Sequence, residues 1–251
     1  KQHLLREGYP EENIWTIGGV VVDALELKRK TKPEKSIFGI YPELEKGDWI
    51  RVDIHRRENL TPRRFRSIVG AIKELVKDGR NINFIEMSAT RMALDFYGLR
   101  KELEQLKSKK NFLYTAVWPE YGHVIEFFES DKCIAALTDS GGVQEELNLI
   151  GKTCLTCRLT TDRPETVFDA KSNILVPPAS KDIIVKMINH VSDNESLRKR
   201  MESSKKLYGS NVGKKFISVV AGLMETNDNP FKWAHDTLKL WRDDEKGIDY
   251  L

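Results

Sequence analysis

The feature that most constrains this chain is an alternation of short apolar runs with segments of helical periodicity. Asp48-Trp49-Ile50-Arg51-Val52-Asp53-Ile54 reads as a strand, and Thr61 then offers an N-cap with Pro62 at the first helical position. Phe65, Ile68, Val69, Ile72, Leu75 and Val76 recur at helical spacing until Asp78-Gly79 closes the pattern. The same unit repeats with strands at Asn83-Phe84-Ile85-Glu86-Met87, at 111–117, at Cys133-Ile134-Ala135-Ala136-Leu137, at 153–156 and at 173–176. Helical patterns fall between them and continue at 181–191, 194–206, 213–224 and 230–242. Strands this short, several apolar on both faces, joined through helices, require crossover connections and therefore a parallel sheet covered on both sides. The expected fold class is α/β, a doubly wound parallel sheet of Rossmann-like type.

With 251 residues, the chain has room for more than one domain. Lys1 to Arg6 reads as the tail of a helix, Asn13 to Gly19 as a strand running into a glycine turn, and Val20 to Leu25 as a helix. Residues 1–27 are therefore expected to be the end of a preceding domain. Residues 28–47, charged and punctuated by Pro33, Pro42 and Gly47, are expected to be a linker or exposed excursion, 48–224 the main domain, and 225–251 a terminal helix and tail. Lys+Arg 41 against Asp+Glu 38 leaves +3, which gives no electrostatic case for a nucleic-acid partner. No apolar run reaches the roughly 18–20 residues of a membrane span. Three cysteines cannot frame a disulfide scaffold, which points to a reducing cytoplasm.

The strongest local signal is Leu137-Thr138-Asp139-Ser140-Gly141-Gly142-Val143-Gln144-Glu145-Glu146, where an apolar strand ends and a helix begins. In a doubly wound sheet that edge binds ligands. Gly141 and Gly142 carry no Cβ, so a ligand can approach the backbone, and the first N–H groups of the helix face it with the positive end of the dipole behind them. Ser140 adds a hydroxyl. The pattern suits phosphate oxygens. Glu146, one turn in, would repel a phosphate, so a pair of neutral hydroxyls such as a ribose diol is its fitting partner.

Two further loops follow strands at the same edge. His55-Arg56-Arg57-Glu58-Asn59 places a histidine beside two guanidinium groups. Arg56 and Arg57 suit an anionic group, and His55 can donate to a departing oxygen. Glu58 and Asn59 are expected to hold the loop. Thr160-Thr161-Asp162-Arg163-Pro164-Glu165-Thr166 lets Pro164 open a helix and sets Arg163 at its anion-favouring end. Three anion-compatible loops on one edge suggest a nucleotide diphosphate cleft. Cys154-Leu155-Thr156-Cys157 runs along a strand and lacks further metal ligands, so core cysteines are expected and no metal is implied. No G-x-S-x-G elbow supports a hydrolase triad.

Together these three segments resemble the UDP-N-acetylglucosamine 2-epimerase family. Gly18-Gly19-Val20-Val21-Val22-Asp23-Ala24-Leu25 is similar to the segment ending that family's first domain, and Leu207-Tyr208-Gly209 to its late Tyr-Gly turn. The resemblance implies the second half of a GT-B type two-domain fold, binding UDP or UDP-GlcNAc, with no cofactor. It implies a cytoplasmic homodimer that eliminates UDP to give a 2-acetamidoglucal and adds it back with C2 inverted. By position it assigns catalysis to His55, the diphosphate to Ser140, Gly141 and Gly142, the ribose to Glu146, an anion contact to Arg163 and the base to Phe127. Asp162 departs from the family's usual Glu, and Met87-Ser88-Ala89-Thr90 from a common His-Pro pair. A hydrolysing relative, another GT-B glycosyltransferase and a UDP-sugar-binding half-domain therefore stay open. The C2 acid and base are expected outside this stretch, leaving the chain inactive alone.

Overall fold

A computed structural model describes residues 1–226. Six strands, β1 (Trp49–Asp53), β2 (Asn81–Glu86), β3 (Phe112–Ala116), β4 (Cys133–Thr138), β5 (Cys154–Thr156) and β6 (Asn173–Leu175), form one sheet. All pairs are parallel, in the order β3-β2-β1-β4-β5-β6. The chain starts in the middle, winds outward one way, then returns to wind the other way. The reversal falls between β1 and β4, the position beyond whose carboxyl ends doubly wound sheets bind ligands.

The helices are α1 (Gln2–Arg6), α2 (Val21–Lys30), α3 (Ile37–Ile40), α4 (Pro62–Lys77), α5 (Ser88–Phe96), α6 (Arg100–Glu104), α7 (Tyr121–Glu129), α8 (Gly141–Ile150), α9 (Pro164–Phe168), α10 (Lys181–Ser192), α11 (Glu195–Glu202) and α12 (Val212–Thr226). The expected helix at 230–242 lies outside the described residues. The period of two along β1 sends Ile50, Val52 and Ile54 to one face, where Phe65, Ile68 and Ile72 of α4 and Ile184 and Ile188 of α10 cover them. Trp49, Arg51 and Asp53 point to the other face. There α7 and α8 bring Phe127, Phe128 and Leu147 over the sheet. Gly151 ends α8 in the left-handed region at φ +85°, and a Cβ there would stand 3.0 Å from the carbonyl oxygen of Glu202.

The described residues divide into two compact units, residues 24–208 and residues 1–23 with 209–226. In the smaller unit the Asp23 carboxylate accepts the N–H groups of Val212, at 3.2 Å, and of Gly213, capping α12. Asn13 to Gly19, expected as a strand running into a glycine turn, form none: among the described residues the sheet has no strand before Trp49, and a strand exists only through its ladder partners. The expected linker is also folded. Ile37 and Leu44 are wholly buried, and the Glu126 side chain accepts the Ser36 hydroxyl at 2.7 Å and the Ile37 N–H at 2.8 Å. Its charged residues face outward while two apolar ones anchor it, a pattern too sparse to register as periodicity.

Candidate functional site

Each edge loop starts where an apolar strand stops. Beyond β1, the backbone N–H groups of His55 (3.0 Å) and Arg56 (2.9 Å) donate to the Asp139 carboxylate, and Asn59 donates to it through Nδ2 at 2.9 Å. Asp139 is 0% exposed and follows β4, so one buried carboxylate ties the two strands of the switch point together. The Nδ1 atom of His55 lies 3.3 Å from Asp139 Oδ1. Nδ1 is buried and makes no hydrogen bond, while the ring as a whole is about one-third exposed at the rim.

Next in the chain, Ser140 is the N-cap of α8, its Oγ accepting from Val143 N–H at 3.5 Å. The N–H groups of Gly141 and Gly142 belong to the first turn and have no carbonyl of their own helix to bond. A Cβ on Gly141 would meet both carboxylate oxygens of Asp162 at 3.2 Å, so the 160–166 loop presses directly on the glycine turn. A Cβ on Gly142 would meet only Ser140 Oγ, at 4.0 Å. The first glycine is needed for packing within the protein, the second keeps open space.

The third loop closes the rim. Asp162 accepts from Arg56 at 3.0 Å and from Arg158 at 2.9 Å, and Arg158 also bonds Glu58 at 2.8 Å. Arg163, the N-cap residue before Pro164, donates to the Glu145 carboxylate and, through Nη1, to the Asp162 carbonyl at 2.9 Å. Beneath them Gln144 donates to the Ser140 carbonyl at 3.1 Å and accepts from Thr161 at 2.6 Å and Asn173 at 3.1 Å. Arg56, Arg158 and Arg163 thus gather around one carboxylate beside a helix amino terminus, an arrangement that can receive an external anion.

Glu146 stands one turn deeper, hydrogen-bonded to the Tyr121 phenol at the start of α7. Burial pushes its carboxyl up to about 7; Asp53 and Glu145 add to the push, while Tyr121 and Arg51 oppose it. Folded Glu146 therefore keeps a proton that the unfolded chain releases from its ordinary 4.5 upward. The sign follows: this stabilisation is complete below about 4.5, is lost as pH rises to about 7, and is absent above. Glu146→Gln should remove that slope, so the gap in stability between the two proteins changes by on the order of 1–3 kcal/mol between pH 4.5 and 8, read from thermal melts.

His55, Arg56, Ser140, Gly141, Gly142 and Arg163 come together on one rim, with Glu146 just below. Phe127 does not join them. It is wholly buried, its ring against Trp118 at 5.4 Å and Phe38 at 6.4 Å, because α7 turns that position toward the sheet. Glu58 and Asn59 hold the loop as expected, through Arg158 and Asp139. Sequence reasoning passed over Asp139, Arg158 and Tyr121. An acidic residue immediately after an apolar strand is the signal that could have found Asp139. Cys154, in β5, and Cys157, just beyond it, are buried in the two separate apolar clusters. Among the described residues no cluster of His, Cys, Asp and Glu could hold a metal ion, and no helix is long and apolar enough to cross a membrane. A surface hollow of about 980 Å³ lies at the opposite edge of the sheet beside Asp78, Gly79 and Asn111, away from this chemistry.

Fold and rim together define a Rossmann-like α/β protein with a polar, anion-compatible rim at its topological switch point. Residues 1–221 match the family model described as UDP-N-acetylglucosamine 2-epimerase. The chain belongs to that family. A Methanocaldococcus jannaschii protein named UDP-N-acetylglucosamine 2-epimerase is 32% identical over 191 residues, which is 73% of this chain and 50% of the relative. The crystal structure of Methanocaldococcus jannaschii UDP-GlcNAc 2-epimerase in complex with UDP-GlcNAc and UDP superposes with a TM-score of 0.73 at 27% identity, covering 88% of this chain and 58% of that one. The Neisseria meningitidis enzyme bound to UDP-GlcNAc gives 0.71 at 25% identity, again 88% and 58%. This chain spans about half the length of the curated relatives it matches.

Proposed function

We propose that this chain is the UDP-holding half of a UDP-N-acetylglucosamine 2-epimerase. The observation that carries the reading is the convergence of the β1, β4 and β5 loops around Asp139 and Asp162, in a chain of this family. The N–H groups at Gly141 and Gly142 receive the diphosphate, with Ser140, Arg56 and Arg163 beside them, and Glu146 accepts from the ribose hydroxyls. Relatives crystallised with UDP-GlcNAc and UDP support the ligand class.

In the proposed reaction a base removes the C2 proton as the C1–O bond breaks, giving a 2-acetamidoglucal and UDP. A proton returned to the opposite face of C2 and re-addition of UDP at C1 complete the inversion. Charge develops on the departing diphosphate oxygen, where oriented backbone donors, Arg56 and His55 stabilise it. The C2 acid and base lie outside this stretch, so the chain alone binds without turning over. It acts as a cytoplasmic homodimer in the whole protein.

Calorimetric titration with UDP should give saturable binding, with ADP weaker by about tenfold, or 1.4 kcal/mol. Equal affinity would overturn the uridine assignment. Proton NMR of UDP-GlcNAc mixed with the chain should show unchanged anomeric and C2 signals; turnover would mean that the C2 acid and base are within residues 1–251.

A further inference from the structure

A buried ion pair lies under the glycine turn, and neither the ligand contacts nor the proton transfers proposed above use it. Arg51 and Asp53, 5% and 4% exposed, sit at alternate positions of β1 on the face covered by α7 and α8. Arg51 Nε is 3.3 Å from Asp53 Oδ2. The guanidinium lies over the Trp118 ring, 4.4 Å from its centroid, and Trp118 stacks on Tyr41 at 6.3 Å and donates its indole N–H to Thr115 at 3.1 Å. Asp53 Oδ1 accepts the Thr138 hydroxyl, and the oxygen of Thr138 accepts the N–H of Ser140 at 3.0 Å. The path runs from the centre of the sheet to the Asp139–Ser140 peptide, one residue before Gly141.

Stability gives no reason for such a pair. Burial pushes Asp53 up and Arg51 down, and one guanidinium nitrogen, Nη1, is buried without a hydrogen-bond partner. Apolar residues of similar volume at such positions are often neutral or better for stability. What the pair does supply is direction. A threonine hydroxyl has one hydrogen and rotates about its bond. With that hydrogen committed to Asp53, a lone pair is turned to Ser140 N–H, and the plane of the Asp139–Ser140 peptide is fixed.

We propose that Asp53, itself held by Arg51, is a positioning residue for the Ser140-Gly141-Gly142 loop, acting through Thr138. For its effect on UDP it rests on the diphosphate-binding reading above. Arg51→Met/Asp53→Val removes both charges and the acceptor, Arg51→Met/Asp53→Asn keeps an acceptor for Thr138, and Thr138→Val removes the hydroxyl alone. The first and third should melt within a few degrees of the parent yet bind UDP about tenfold more weakly, and should not add when combined. The Asn variant should stay within about threefold of the parent, a rescue that a merely structural role does not give. Amide hydrogen exchange in the ligand-free protein is the second readout: the Ser140, Gly141 and Gly142 amides should exchange about tenfold faster in Thr138→Val while core strands are unchanged.

Parent-like UDP affinity and loop exchange in Thr138→Val would overturn the proposal, even if the double variants fail to fold. If the parent chain shows no UDP binding while the loop amides still loosen in Thr138→Val, the positioning role stands and the diphosphate reading fails.

Discussion

Alanine at position 142 leaves the fold intact and removes most of the affinity for UDP. Gly142 lies in the first turn of α8, is exposed, and has no positive φ to protect. A Cβ there meets only the Ser140 hydroxyl at 4.0 Å, so the protein has room for it. Alanine also favours the helix over glycine, which makes a small rise in melting temperature the expected sign. A diphosphate seated on the same backbone meets the new methyl group directly. Losing one charge-assisted hydrogen bond, at about 1.5–3 kcal/mol, weakens UDP by roughly 10- to 100-fold. Gly141→Ala behaves differently, because its Cβ meets Asp162 at 3.2 Å and must shift the 160–166 loop. Stability and binding should fall together there. Paired melts and titrations separate the two glycines; unchanged UDP affinity in Gly142→Ala would refute the placement of the diphosphate on this turn.

The contrast between these neighbours explains what the sequence made legible. The βα alternation is visible because each strand is a short apolar run with turn chemistry at both ends, and the order of the loops along one edge follows from parallel pairing alone. Ser140, Gly141, Gly142 and Glu146 are local: strand end, glycine pair and helix start are contiguous. Asp139 stands in the same motif, yet its role depends on N–H groups from residues 55, 56 and 59, 80 to 84 positions earlier, and no spacing rule connects them. Arg51 and Asp53 were hidden for another reason. Alternation marks Arg51 and Asp53 as sharing a face of the strand, but which side chains of α7 and α8 cover that face is set by packing that strand spacing does not encode. Phe127 failed on phase. Tyr121, Phe127 and Phe128 are all aromatic within one short helix, and only the helix's rotation decides that Tyr121 reaches Glu146 while Phe127 enters the core.

Removing the Asp139 carboxylate should be the most damaging single change to stability. It is fully buried and accepts from two backbone amides and the Asn59 side chain, so Asp139→Ala leaves three donor hydrogens without this acceptor, the one on Asn59 fully buried. Each unmet buried donor costs about 1–3 kcal/mol, and loss of one partner from a buried charged network about 3–5 kcal/mol in total, since the terms do not add. For a domain of this size that is a drop of about 6–20 °C in melting temperature. Asp139→Asn separates charge from shape. One oxygen remains, but the amide nitrogen must face either His55 N–H or the Arg56 and Asn59 donors, so donor meets donor and a large part of the loss persists. The binding consequence comes through the loop after β1, whose His55 and Arg56 amides lose part of the acceptor that fixes them beside the glycine turn. UDP affinity in Asp139→Asn, measured well below its melting temperature, should therefore fall by at least about tenfold. Equal stability and equal affinity in that variant would mean that the two strands of the switch point are held together by something other than this carboxylate.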